Sequence, residues 1–193
     1  MKTFDQVKKK EVNEGFVDAA VIAMQSSSAI VTPIALNPAS ITRLTNRLGD
    51  EYHAYYMYRA ASDWCKDQGY FKASDFFSKE MADELEHAKL IRDYMTDWNV
   101  VPQIPETQHN YTFTSLIDVI NQAYNFELQL FNSYVADSTE LFILDLATFD
   151  FLKQLREIQV SSVADFSDFL NVLKLININN RFEVLYFENQ YFS

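Results

Sequence analysis

Hydrophobic residues recur along the chain at spacings of three and four, as they do on one face of an α-helix. The spacing predicts four long helices and a short C-terminal one, with these expected bounds: Pro38 or Ser40 to Lys66, Phe71 or Lys72 to about Trp98, Thr114 or Ser115 to about Asp137, about Leu146 to Ile176, and a short helix within residues 181–193. Another helix is predicted over residues 4–24, followed by an aperiodic segment with two prolines. We therefore expect an N-terminal extension, residues 1–38, and a helical domain, residues 39–193.

The connections between the four long helices predict their arrangement. The turn after the first helix is short, so the first two helices should be antiparallel neighbours. The next connection has about 16 residues and could reach roughly 50 Å when extended, whereas a helix of about 25 residues is about 37 Å long. The sequence therefore predicts an all-α four-helix bundle with one long crossover connection and a short C-terminal fifth helix.

Each predicted hydrophobic stripe is interrupted near its middle by a polar residue. Glu51, Glu84 and Glu127 interrupt the first three stripes, and Gln159 interrupts the fourth. Burying an unpaired carboxylate costs several kcal/mol, and the stripes contain no Lys or Arg that could pair with it. Two interpretations remain open: a multivalent cation inside the bundle, or glutamates that lie at the stripe margins and reach water.

His87 adds an imidazole to this set. It follows Glu84 by three residues, and residues at this spacing project from the same side of a helix. The spacing also occurs on solvated helices, so the pair alone does not define a site. Three carboxylates and one imidazole suit iron, manganese or zinc, and a carboxylate can bridge two ions. The candidate metal ligands are Glu51, Glu84, His87 and Glu127.

Composition narrows the class of protein. The formal net charge of −11 argues against direct binding to DNA or RNA, because phosphates require a basic surface. The single cysteine, Cys65, is typical of a reducing compartment. No run of about 18 apolar residues could span a membrane, and the apolar run near the N-terminus lacks a clear signal-peptide cleavage site. We expect a cytoplasmic protein that binds neither nucleic acid nor membranes.

Several motifs, in order and with matching spacing, resemble the ferritin family. Residues 47–95 contain Glu51, Tyr58 seven residues later, and Glu84-x-x-His87, and they resemble the first two helices of a ferritin. "YNFELQL" resembles the third helix, "FLKQLREIQVSSVADFSDFL" the fourth, and "LYFENQYF" the short fifth helix of bacterial-type, non-haem ferritins. The resemblance covers roughly residues 40–193 and leaves the N-terminal segment outside it.

This resemblance implies a ferroxidase that stores and detoxifies iron. Fe(II) would be oxidised by O2 or H2O2 at a di-iron centre within each subunit, and Fe(III) mineral would be kept in a homo-oligomeric cage of about 24 subunits. At the matching positions, Glu51 and His87 would hold one iron, Glu84 would bridge both irons, and Glu127 would hold the second. Gln159 would hydrogen-bond near the second iron, and Tyr58 would lie beside the centre as an electron donor.

The chain also departs from the family pattern. Many bacterial ferritins have a glutamate where this chain has Ser162, and further acids for a third iron where it has Ile158 and Ser161. A third iron site should therefore be absent or weak, while the remaining ligands match the animal heavy-chain arrangement. Bacterioferritins place a haem-ligating Met where this chain has Leu85, and they need a second Glu-x-x-His motif. We expect no haem.

Two other functions stay open on the sequence alone. One is a ferritin-fold structural or cargo protein with a weak metal site that acts through residues 1–38. The other is a di-metal oxidoreductase that does not form a storage cage.

Overall fold

A computed structural model describes residue 30 and residues 32–192 of the 193-residue chain. The described residues form five helices and no strand: α1 (Pro38–Asp67), α2 (Phe71–Asp97), α3 (Leu116–Leu144), α4 (Leu146–Leu173) and α5 (Arg181–Tyr191). The all-α prediction is confirmed. The helix predicted over residues 4–24 lies outside the described residues.

Most of the described helices begin after a residue whose side chain accepts a hydrogen bond from a free backbone N–H group. Asn37 caps α1 by accepting a hydrogen bond of 2.9 Å from the backbone N of Ser40, and Ser115 caps α3 through its hydroxyl. Gly69 forms the turn between α1 and α2 with a φ of 85°, in the left-handed region that favours glycine. These starts and this turn agree with the predicted ones.

The predicted end of the third helix near Asp137 is wrong. Helix α3 continues through Leu144, and Asp145 alone separates it from α4. Residues 138–144 contain neither glycine nor proline, and Leu141 is fully buried. The helical period therefore continues until Asp145, whose side chain accepts a hydrogen bond from the backbone N of Thr148 and caps α4.

The long connection between α2 and α3, residues 98–115, runs beside α1. The hydroxyl of Thr107 donates to the carbonyl of Gly49 at 3.3 Å, and that of Tyr111 donates to the carbonyl of His53 at 3.3 Å. A Cβ atom at Gly49 would lie 2.5 Å from the ring of Pro105, so glycine is required for this close approach. Helix α1 packs along α2, and α3 packs along α4. The predicted long crossover is confirmed.

The buried hydrophobic residues form two clusters. An aromatic cluster includes Tyr58, Phe77, Phe166, Phe169, Phe187 and Phe192. An aliphatic cluster includes Leu44, Leu48, Ile91, Leu130, Leu152 and Leu155. Along each long helix, the polar interruption of the stripe lies between residues of these two clusters. The aliphatic cluster comes first along α1 but second along α3, so these two helices cross the middle of the bundle in opposite directions.

Helix α5 is attached to the N-terminus of α2. One oxygen of Glu188, a residue only 2% exposed, accepts hydrogen bonds from the backbone N of Lys72 at 2.6 Å and of Ala73 at 3.0 Å. The Lys72 ammonium group donates to the carbonyl of Asn189 at 2.7 Å. Within the described part of the chain, no helix combines the length and apolar character that a membrane span requires.

Candidate metal centre

The four predicted stripe interruptions are buried between the two clusters. Glu51 and Glu127 are each 1% exposed, and Glu84 and Gln159 are each 4% exposed. The interpretation that these glutamates lie at the stripe margins and reach water is therefore wrong. Each side chain comes from a different long helix, so the site depends on the packing of all four.

Three of the predicted ligands form one compact group. Ligand atoms of Glu51, Glu84 and His87 all lie within 4.8 Å of one another. The Nδ1 atom of His87 is 3.1 Å from Oε2 of Glu84 and 3.6 Å from Oε2 of Glu51. Two carboxylates and an imidazole at such distances can share one cation.

Glu51 has one oxygen that the protein leaves unsatisfied. Its Oε1 atom accepts a hydrogen bond from the hydroxyl of Tyr134. Its Oε2 atom is buried and accepts no hydrogen bond from any described residue. A buried carboxylate oxygen without a hydrogen-bond donor is rare, because it has lost its contact with water. A cation held also by Glu84 and His87 would satisfy it.

The electrostatics of the group reflect closely packed negative charge. Burial raises the pKa of Glu84 well above its usual range, and the charges of Glu51 and Glu127 raise it further against the hydrogen bond with His87. Burial alone would lower the pKa of His87, but the carboxylates of Glu51 and Glu84 beside it raise that pKa to about 10. These raised pKa values favour protonation of the metal-free group, and a cation can take the place of such protons.

Glu127 lies outside this compact group and is held by hydrogen bonds. The Tyr58 hydroxyl donates to its Oε1 atom, and the Gln159 side-chain amide donates to its Oε2 atom. Burial raises the pKa of Glu127 to about 7, although the hydrogen bond from Tyr58 opposes this. The structure thus brings Tyr58, Gln159 and Glu127 together beside the compact group.

Helix α4 brings no carboxylate to the positions of the third-iron acids. Ser161 is exposed, and the half-buried Ser162 turns its hydroxyl towards the Ile158 carbonyl at 3.5 Å. Sequence reasoning missed one residue of the site, Tyr134, although it follows Glu127 by seven residues, as Tyr58 follows Glu51. That repeated spacing was the available signal.

The fold and this site together define a class of protein. A family model described as "Ferritin-like domain" matches residues 41–176, and the chain belongs to that family. The resemblance seen in the sequence is confirmed.

Two named relatives are similar to most of the helical domain. The bacterial non-heme ferritin of Escherichia coli O6:H1 (strain CFT073) is 25% identical over 121 residues, which is 61% of this chain and 73% of that protein. The probable bacterial non-heme ferritin-like protein of Haemophilus influenzae is 27% identical over 139 residues, 69% of this chain and 82% of that protein.

Solved structures agree on the fold. An open pore ferritin from Archaeoglobus fulgidus superposes with a TM-score of 0.76 at 17% identity, covering 81% of this chain and 98% of that one. A humanized archaeal ferritin gives a TM-score of 0.75 at 18% identity, with coverage of 81% and 96%. These likenesses confirm the ferritin-like bundle.

Proposed function

We propose that the protein stores and detoxifies iron by oxidising Fe(II) at a di-iron ferroxidase centre within each subunit and keeping the Fe(III) mineral in a multi-subunit cage. The unsatisfied Oε2 atom of Glu51, facing Glu84 and His87, carries the proposal. Membership of the ferritin-like domain family and two relatives named as non-heme ferritin and ferritin-like protein support iron as the metal.

Glu51 and His87 would bind the first Fe(II), with Glu84 bridging to a second Fe(II) bound by Glu127. The compact group supports the first position. Both oxygens of Glu127 accept hydrogen bonds, so the second Fe(II) would have to share these oxygens with the two donors. We therefore expect the first metal ion to bind more tightly than the second.

Fe(II) is the substrate of the proposed reaction. Each of two Fe(II) ions loses one electron, and with O2 as oxidant the electron pair and two protons form H2O2. Buried carboxylates stabilise the more highly charged Fe(III). Tyr58 is the proposed further electron donor: it is fully buried, its ring stacks on Phe77 and Phe166 at 5.9 and 6.0 Å, and its phenolic proton faces Glu127.

Exposed apolar side chains support assembly of several copies. Around the α3–α4 junction, Phe142, Ile143, Leu144 and Leu146 are between 58% and 85% exposed. A patch of this kind marks an interaction surface in many proteins. The net charge of −11 per subunit would attract Fe(II) to such an assembly. We propose a homo-oligomeric cage on this basis.

A second candidate is a ferritin-fold structural or cargo protein with a weak metal site. Ser162 offers no carboxylate, and the oxygens of Glu127 are occupied by hydrogen bonds. Both observations would weaken the second metal position. The segment proposed to act in that case, residues 1–38, lies almost wholly outside the described residues.

Oxygen-dependent Fe(II) oxidation by Glu84→Ala and the wild type tests the proposal. The initial rate of the variant should be at least about tenfold lower than that of the wild type, because the substitution removes the proposed bridging ligand. Glu86→Ala, an exposed glutamate on the same helix, is the matched control and should oxidise Fe(II) at the wild-type rate. An unchanged rate in Glu84→Ala would refute the ferroxidase centre. Light scattering then separates a large cage from a small oligomer.

A further inference from the structure

We infer that Tyr134 is a positioning residue of the centre, which holds one oxygen of Glu51 so that the other stays turned towards Glu84 and His87 as a single-oxygen metal ligand. This inference rests on the proposed metal centre. It assigns a role to a side chain that is neither a ligand nor the proposed electron donor.

The two oxygens of Glu51 have different surroundings. Tyr134 is fully buried on α3, and its hydroxyl donates to Oε1 of Glu51. The Oε2 atom accepts no hydrogen bond from the described residues and lies 3.6 Å from Nδ1 of His87. The phenol therefore fixes the rotation of the carboxylate and leaves Oε2 as the oxygen available to a cation.

The ring of Tyr134 is itself held in place. The guanidinium group of Arg47 lies 5.8 Å from the ring centroid, a distance that permits a cation–π contact. Arg47 is bound on its other side, with ion-pair distances of 3.2 Å to Asp50 and 3.2 Å to Asp137. The hydroxyl is thus presented to Glu51 from a side chain that has little freedom to move, as positioning requires.

Tyr58 gives an internal comparison. Each tyrosine follows a glutamate of its own helix by seven residues and donates to the glutamate of the other helix: Tyr58 on α1 to Glu127, and Tyr134 on α3 to Glu51. Glu127 also accepts a hydrogen bond from Gln159, so both of its oxygens are used. Among the described residues, Glu51 accepts a hydrogen bond only from Tyr134. Of these two glutamates, it is therefore Glu51 that keeps an oxygen without a hydrogen-bond donor among the described residues.

Removing the hydroxyl should change the bound metal rather than only the fold. In Tyr134→Phe the ring remains, but Glu51 can rotate and offer both oxygens to one ion. Loss of a partner that orients a metal ligand typically weakens metal binding by about 10- to 100-fold. We expect the lower end, about tenfold, because Glu84 and His87 are unchanged.

The experiment is a Co²⁺ titration of the metal-free full-length protein, followed by visible absorption. For Tyr134→Phe, we expect about tenfold weaker binding of the first Co²⁺ equivalent and an altered absorption spectrum, since Co²⁺ bands respond to coordination number. The control is Tyr94→Phe, because the Tyr94 hydroxyl bonds instead to Thr148 at 3.1 Å. That variant should match the wild type, and circular dichroism should show that both variants are folded.

The outcomes separate this inference from the proposed function. If Tyr134→Phe binds Co²⁺ with the wild-type affinity and spectrum, the positioning role is overturned and the metal centre stands. If the wild type itself binds Co²⁺ no better than Glu84→Ala, the metal centre fails and the inference fails with it. A lower unfolding temperature without a spectral change would mean that Tyr134 only stabilises the fold.

Discussion

Glu188 and Glu51 are both almost fully buried carboxylates, but only the first is satisfied by the protein. One oxygen of Glu188 accepts two backbone N–H groups at the start of α2, where the helix dipole also favours negative charge. Glu51 has one oxygen with a phenol donor and one with none among the described residues. The hydrogen bonds of Glu188 are made within the protein, whereas the Glu51 region is the one that we propose to bind a cation.

The difference shows that burial of a carboxylate is not by itself a sign of metal binding. The groups that surround the buried carboxylate determine whether it stabilises the fold or can bind a metal. Glu188 meets the positive end of a helix, while Glu84 meets the charges of Glu51 and Glu127, which raise its pKa in addition to the effect of burial. A buried acid facing fixed N–H donors stabilises the fold, and one facing other acids destabilises the metal-free fold.

The largest expected effect on stability comes from Glu188→Ala. The substitution leaves the N–H groups of Lys72 and Ala73 without their acceptor and loosens α5, so the free energy of unfolding should fall by about 3 kcal/mol. Urea denaturation measures this change. Bound metal should be unaffected, because Glu188 is remote from the compact group.

The control for this variant is Glu157→Ala, whose exposed side chain pairs with Lys153 at 3.6 Å. The free energy of unfolding of this control should fall by less than about 0.5 kcal/mol. If Glu188→Ala were no less stable than this control, or if it also lost metal, the contrast between the two buried regions would be wrong.

A smaller effect of opposite sign is expected for Glu84→Gln. The metal-free variant should be more stable than the wild type by about 1–2 kcal/mol, because the neutral glutamine is buried beside Glu51 and Glu127 without the proton uptake that Glu84 requires. The pKa of Glu84 is raised in the folded protein, so the folded state retains a proton that the unfolded chain releases. Wild-type stability is therefore lost as the pH rises.

The increase in the free energy of unfolding caused by Glu84→Gln should accordingly be larger at about pH 8 than at about pH 5. Thermal unfolding of the two metal-free proteins at both values measures it. Added Co²⁺ or Fe(II) should stabilise the wild type and not the variant. A variant that is less stable than the wild type at the higher pH would show that Glu84 is satisfied without a cation.

Much of the fold could be predicted because its boundaries are set by local chemistry. Asn37, Ser115 and Gly69 mark two helix starts and a turn by properties of their own side chains. The end of α3 could not be found in this way. Nothing local stops the helix after Asp137, and its continuation depends on the burial of Leu141 against other helices.

The candidate site also has a part that the local sequence predicts and a part that it does not. The hydrophobic period of each helix places Glu51, Glu84 and Glu127 on the buried face. This placement could be predicted from the sequence of each helix separately. The bonds from Tyr58 to Glu127 and from Tyr134 to Glu51 depend on how far α1 is shifted along α3. Side-chain packing between the helices sets this shift, so no single stripe contains it.

The smallest expected effect concerns a third carboxylate, Asp145, which lies at the rim between α3 and α4. It accepts hydrogen bonds from the hydroxyls of Ser40 at 2.6 Å and Thr148 at 2.7 Å. Burial acts to raise its pKa, but these hydrogen bonds lower it below the usual value. The contribution of Asp145 to the free energy of unfolding should therefore be present at neutral pH and be lost as the pH falls through the lowered pKa.

Asp145→Ala should thus lower the free energy of unfolding by about 1 kcal/mol near pH 7, with the difference from the wild type narrowing towards about pH 3. The exposed Asp150→Ala on α4 is the matched control and should change the free energy of unfolding by less than about 0.5 kcal/mol. Asp145 would then behave like Glu188, an acid made stabilising by its donors. If Asp145→Ala were instead neutral or stabilising at pH 7, complete hydrogen bonding would not be what separates the structural carboxylates from the metal-facing ones.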